Sequence, residues 1–170
     1  MLFRSGSRII LLCNGALSVR EDLLKLIEEE RSAIPTLLLA TTTHGAYREQ
    51  HENQAHNVNL SRRLIHAGYG KTYLEDLGNG DGMAISGLWD KAGLNCTSLS
   101  SKEMNSMLWR KLAANCVINP LTSIYRCTNG ELMLEPSFPA MLEDILKEVV
   151  DIATGVINDE GGSDTWKVQD

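Results

Sequence analysis

Apolar and polar positions along this chain change period from one segment to the next, and the changes mark its elements. From Arg8, RIILLCNG sets five apolar residues in a row before an Asn-Gly turn signal, which predicts a fully buried strand. Leu23, Leu24, Leu26 and Ile27 then recur at helical spacing, with Ser18 placed as N-cap and Glu21 three positions on in the capping-box pattern. After Pro35, TLLLATTT is a second continuous apolar run and predicts a second buried strand. Strand, helix and strand with short connections make a βαβ unit, whose parallel strands are covered on both faces and so carry no alternation.

VNLSRRLIHAG and KTYLEDL do alternate, and they meet at GYG, a pattern that fits an antiparallel extension or edge hairpin. TTTHGA reads as a loop, GNGDG at 78–82 as another, MAISGLWDKAGL as a short helix and LNCTSL as a last strand. A domain boundary falls near Ser100, dividing the chain into 1–100 and 101–170. Ser100 or Ser101 can cap the long helix that follows, with Glu103 in its first turn.

That helix carries an unusual stripe. With Lys111 at zero on a helical wheel, Asn115 falls at roughly 40° and Asn119 at roughly 80°. Trp109, Leu112, Ala113, Ala114, Cys116 and Val117 occupy much of the remaining arc, so the helix reads as apolar nearly all round and buried. A buried amide without a partner costs roughly 1 to 3 kcal/mol, and a lone buried ammonium more. The stripe therefore faces either solvent or something polar that it holds. Asn119-Pro120 should end or kink the helix, since the residue before proline is pushed out of the α region. Asn129 follows in an Asn-Gly turn.

Composition narrows the partners. A net charge of −6 with Lys and Arg scattered along the chain leaves no basic patch for nucleic acid. The opening apolar run is far shorter than a membrane span needs. Cys13, Cys96, Cys116 and Cys127 show no CxxC spacing, so neither a zinc site nor another metal centre is expected, and reduced thiols point to the cytoplasm. His44, without a carboxylate or second ligand nearby, reads as a structural group.

WRKLAANCVINPLTSIYRCTNGEL closely resembles the central helix of the ketopantoate reductase (2-dehydropantoate 2-reductase) family, W-x-K-L-x-x-N-x-x-I-N-P-L-T continuing to N-G-E-L. LLCNG resembles the strand and turn beside the nicotinamide in that family, TTTHGAYR the next strand and loop, and HAGYGKT an H-x-G-x-G-x-T hairpin. The resemblance implies an α/β fold, a partial Rossmann-like doubly wound sheet followed by part of a helical domain. It implies NADPH-dependent reduction of 2-dehydropantoate to pantoate, on the route to pantothenate and coenzyme A. Lys111 matches the catalytic lysine, Asn115, Asn119 and Asn129 the substrate-binding asparagines, and Asn14 and Ala46 positions lining the cofactor.

No G-x-G-x-x-G opens a helix after a first strand in this chain, and GYG and GNGDG have the wrong spacing for it. The chain therefore reads as the middle of such a reductase, with the phosphate-binding segment and later helices outside it. Exposed strand edges in such a piece lead to the expectation of self-association or a homodimer. A non-catalytic binding or dimerisation module and a dehydrogenase acting on another 2-keto acid stand as alternatives.

Overall fold

The computed structural model describes residues 6–30, 33–48 and 64–159, and they fall in two compact units, Met1–Met104 and Asn105–Asp170. The part of VNLSRRLIHAG before Leu64, and the tail beyond Asp159, lie outside the described residues.

The first unit is built on a four-stranded sheet. Its strands are β1 (Arg8–Leu11), β2 (Thr36–Thr42), β5 (Thr72–Asp76) and β6 (Cys96–Ser100), in the order β1-β2-β5-β6. β1 pairs parallel to β2 with Ile10 opposite Leu38, β2 antiparallel to β5 with Thr42 opposite Thr72, and β5 parallel to β6 with Thr72 opposite Cys96. Helix α1 (Ala16–Glu29) makes the crossover between β1 and β2, as the βαβ pattern predicts. Leu38, Ala40, Leu74 and Cys96 form the core of this unit, with Ile10, Ile85 and Trp89 packed against them.

β2 is buried along its length, as its unbroken apolar run predicts. β1 is not the fully buried strand expected: only Leu11 is buried, because β1 is an outer strand of the described sheet. Ser18 is not the N-cap of α1. The helix opens three residues earlier, with Gly15 as N-cap at φ 71°, a left-handed conformation that glycine adopts without strain.

β3 (Gly45–Arg48) and β4 (Leu64–Gly68) form a separate two-stranded antiparallel sheet, with a register shift between Gly45 and Ala46. TTTHGA is therefore not simply a loop, and β4 does not pair with β5. The GYG turn moves the chain from one sheet to the other. A Cβ on Gly70 would run into the backbone and hydroxyl of Thr43, so this close crossing needs glycine.

α2 (Asp81–Trp89) continues into a single π-type turn, Asp90–Leu94, before β6. Arg8 donates to Asp81 in the first turn of α2 at 2.7 Å, and this bond holds the Asp81 carboxyl below its ordinary range. Among the described residues no helix is long and apolar enough to cross a membrane.

α3 (Ser101–Tyr125) leads from β6 into the second unit, followed by α4 (Asn129–Leu132) and α5 (Phe138–Asp159). Ser100 and Glu103 make the expected cap: the Ser100 N–H donates to Glu103 Oε2 at 2.9 Å and its hydroxyl at 2.6 Å. The helix does not stop at Asn119 but runs through Pro120. The Thr122 hydroxyl donates to the Ile118 carbonyl at 2.7 Å and the Ser123 hydroxyl to the Asn119 carbonyl at 2.8 Å, so side chains serve the carbonyls just ahead of the proline.

The chain leaves α3 at Arg126, a non-glycine residue at φ 52°, with the Cys127 N–H donating to the Thr122 carbonyl at 3.2 Å, a Schellman-type end. Val117, Leu121 and Leu132 form the core of this unit, joined by Cys127, Phe138, Met141, Leu142, Ile145 and Leu146.

Candidate active site

Pairing directions bring four chain segments to one end of the main sheet. β1 and β2 finish there while β5 and β6 begin there. In open α/β sheets, ligands bind outside the carboxyl ends of the strands. Asn14 lies at this end, in the tight turn between β1 and α1, and is exposed. Gly15 beside it has open space where a side chain would stand, and no side chain caps the first turn of α1. The exposed carboxamide can both donate and accept hydrogen bonds beside backbone N–H groups that no side chain caps.

The same edge carries a dense set of hydrogen bonds. The Thr43 N–H donates to the Lys71 carbonyl at 2.9 Å, and the Lys71 N–H returns to the Thr43 hydroxyl at 2.9 Å. Asn95 donates from its side chain to the Gly70 carbonyl at 3.1 Å. His44 Nδ1 lies 3.2 Å from the Gly70 nitrogen and 3.0 Å from His66 Nε2, and His44 Nε2 lies 3.2 Å from the Leu94 carbonyl. His66 also meets the Tyr69 ring edge-on, with centroids 4.5 Å apart. Ala46 is exposed in β3, opposite His66.

In the second unit, Lys111 and Asn115 are half-buried and Asn119 is exposed. They sit on successive turns of α3, about 6 and 12 Å along its axis from Lys111. The helix is not buried all round: Ala113, Val117 and Leu121 turn into the core on the arc opposite the stripe, while Leu112 is 47% exposed and Ala114 is exposed too.

Asn129 is the first residue of α4, not part of a simple turn. Thr128 is the N-cap: its side chain accepts from the Glu131 N–H at 3.3 Å, and Glu131 Oε2 accepts from the Thr128 N–H at 2.8 Å. That reciprocal cap fixes where Asn129 leaves the helix.

Two features of this surface were not read from the sequence. The His44–His66 contact joins residues 22 apart, and only the T-T-T-H and H-x-G-x-G-x-T segments, set side by side, hint at it. Asn105 Oδ1, on α3, is buried and, among the described residues, has no hydrogen-bond partner. Nothing in the spacing singles out that residue.

The fold class is thus α/β, a partial Rossmann-like sheet followed by helices. A solved D-mandelate dehydrogenase in complex with NADH has the same fold, with a TM-score of 0.64 and 22% identity over 91% of this chain and 47% of that one. Residues 103–164 match the family profile described as ketopantoate reductase PanE/ApbA C terminal. The 2-dehydropantoate 2-reductase of Vibrio cholerae is 33% identical over 135 residues, 72% of this chain and 38% of its own length. That of Shigella flexneri is 39% identical over 111 residues, 65% of this chain and 33% of its own. The chain is similar to the ketopantoate reductases and spans 33 to 38% of the length of these two.

Proposed function

We propose that this chain carries the lysine-bearing helix and part of the cofactor edge of a 2-dehydropantoate 2-reductase. In this reading, residues 1–100 are part of the cofactor domain and 101–170 part of the helical substrate domain. The reaction is reduction of 2-dehydropantoate to pantoate, on the way to pantothenate and coenzyme A. The observation that carries it is the Lys111, Asn115, Asn119 stripe on the face of α3 turned away from the core, followed by Asn129 at a capped helix start.

Asn14 and Ala46 would hold NADPH, which would supply the hydride for the keto carbon. As that C–H bond forms, negative charge builds on the keto oxygen, and the Lys111 ammonium donates a proton there to complete the hydroxyl. Asn115, Asn119 and Asn129 orient the substrate, their N–H groups donating to its carboxylate and their carbonyls accepting from its hydroxyl. Four free cysteines fit a cytoplasmic setting, and large exposed apolar residues such as Ile124 and Leu134 fit self-association.

With a G-x-G-x-x-G nucleotide-binding segment joined to the chain, loss of NADPH absorbance on adding 2-dehydropantoate, slowed strongly in Lys111→Ala, is the expected result. A folded, restored enzyme that turned over a different 2-keto acid would reassign the substrate, and one with no reductase activity would overturn the reading.

A further inference from the structure

We infer that His44 is the positioning residue for the Gly45–Ala46 segment, a neutral imidazole that fastens the β3–β4 hairpin to the end of the main sheet. Its protonation follows from its partners. The Gly70 N–H can only donate, so His44 Nδ1, 3.2 Å away, is the acceptor and carries no proton. The ring proton then sits on Nε2 and is donated to the Leu94 carbonyl at 3.2 Å, which can only accept. His66 Nε2 lies 3.0 Å from the same Nδ1.

One half-buried ring thereby ties together four places: the end of β2, strand β4, the GYG turn before β5, and the turn before β6. The hairpin needs such a tie. Its ladder shifts register between Gly45 and Ala46, and a bulge of this kind leaves backbone groups that the strand pair itself does not hold. Ala46 is the ladder partner of His66, so the segment is bracketed by His44 before it and His66 across from it. A methyl group offers a ligand little, and whatever Ala46 contributes at this edge comes from its backbone, whose position these two rings set. The consequence for a dinucleotide rests on the reading of Ala46 as a cofactor position. The positioning itself does not.

The test is amide hydrogen exchange together with imidazole ¹⁵N spectra on the 170-residue chain. The wild-type His44 ring should show the Nε2–H tautomer. In His44→Ala the Gly70 amide should exchange on the order of tenfold faster, since it loses its acceptor, and the Ala46 amide resonance should move. Leu74, in the core of the sheet, reports global unfolding and should stay protected. His44→Asn, whose Oδ1 stands near the place of Nδ1, should restore most of the Gly70 protection. Unchanged Gly70 exchange in His44→Ala, a proton on His44 Nδ1 in the wild type, or no rescue by asparagine would each overturn the inference. NADPH binding is measured separately on the chain joined to a G-x-G-x-x-G nucleotide-binding segment: failure to bind there would sink the reading of Ala46 and leave the exchange data to decide on His44.

Discussion

Arg20 on α1 grips Glu75 on β5, its Nη1 3.2 Å from Oε2 and 3.3 Å from Oε1, while Oε2 also accepts the Leu39 N–H of β2 at 3.0 Å. Glu75 is 1% exposed, so one carboxylate joins the crossover helix to two strands from inside the unit. Removing the carboxylate leaves the buried Leu39 N–H without this acceptor, while the partly exposed Arg20 keeps access to water. Glu75→Ala should therefore destabilise the protein by roughly 1 to 3 kcal/mol in urea unfolding. Glu75→Gln should cost less, because the amide oxygen still accepts from Leu39. A Glu75→Ala variant as stable as the wild type would show that the pair contributes nothing net.

How much of this was legible depended on the range of the interactions involved. TLLLATTT declares β2 because burial on both faces leaves a continuous apolar run, and β2 lies between β1 and β5. RIILLC has the same signature, yet β1 is an outer strand, and a local pattern does not report which strands have two neighbours. β3 was hidden because Gly45 and the register shift beside it look like loop chemistry. Pro120 predicted an end or a kink by its local preference, yet α3 runs through it and closes only at Arg126. The lysine and asparagine stripe follows from helical period alone. Which side of α3 is buried did not, because the core is made by α5, whose Phe138, Met141 and Ile145 lie far along the chain.

Thiol chemistry should separate the cysteines by burial. Cys13 is exposed, whereas Cys96 is buried in the sheet core, where burial first and the negative charge of Asp90 second push its thiol up. The reactive thiolate is thereby disfavoured at Cys96. Alkylation of the native protein followed by mass spectrometry should label Cys13 early and Cys96 only on unfolding. Early labelling of Cys96 would mean that β6 opens readily from β5.

Acid should weaken the helix caps. Glu131 is held below the ordinary carboxylate range by the Thr128 backbone N–H and then its hydroxyl, and Glu103 by the Ser100 hydroxyl and then its backbone N–H. A carboxylate lowered in the folded state stabilises fully above its ordinary value, and that share is lost as the pH falls from there through the lowered folded value. Thr128→Ala removes the hydroxyl bond, the smaller of the two that lower Glu131, together with the cap on the Glu131 N–H, and keeps the backbone N–H bond. Its stability should therefore be lower near neutrality and fall less steeply with acid, as followed by urea midpoints along a pH series. Parallel curves for variant and wild type would contradict this account of the cap.

Lys111 decides whether the α3 stripe is a site or a solvated face, and the structure supplies the right controls. The helical wheel put Leu112 on the buried arc, but Leu112 is 47% exposed, so Leu112→Ala should change stability by no more than about 0.5 kcal/mol. Leu132 is 1% exposed in the core with Val117 and Leu121, and Leu132→Ala should cost roughly 2 to 5 kcal/mol. Lys111 points from the opposite arc, so Lys111→Ala should leave the urea midpoint close to that of the wild type. Its effect should appear in turnover, with kcat for 2-dehydropantoate reduction falling on the order of 10² to 10⁴ as the proton donor is lost. Small primary amines, which can stand in the space left by the side chain, should recover part of that rate. A Lys111→Ala variant that turned over 2-dehydropantoate as fast as the wild type would remove the lysine from the chemistry and return the stripe to solvent.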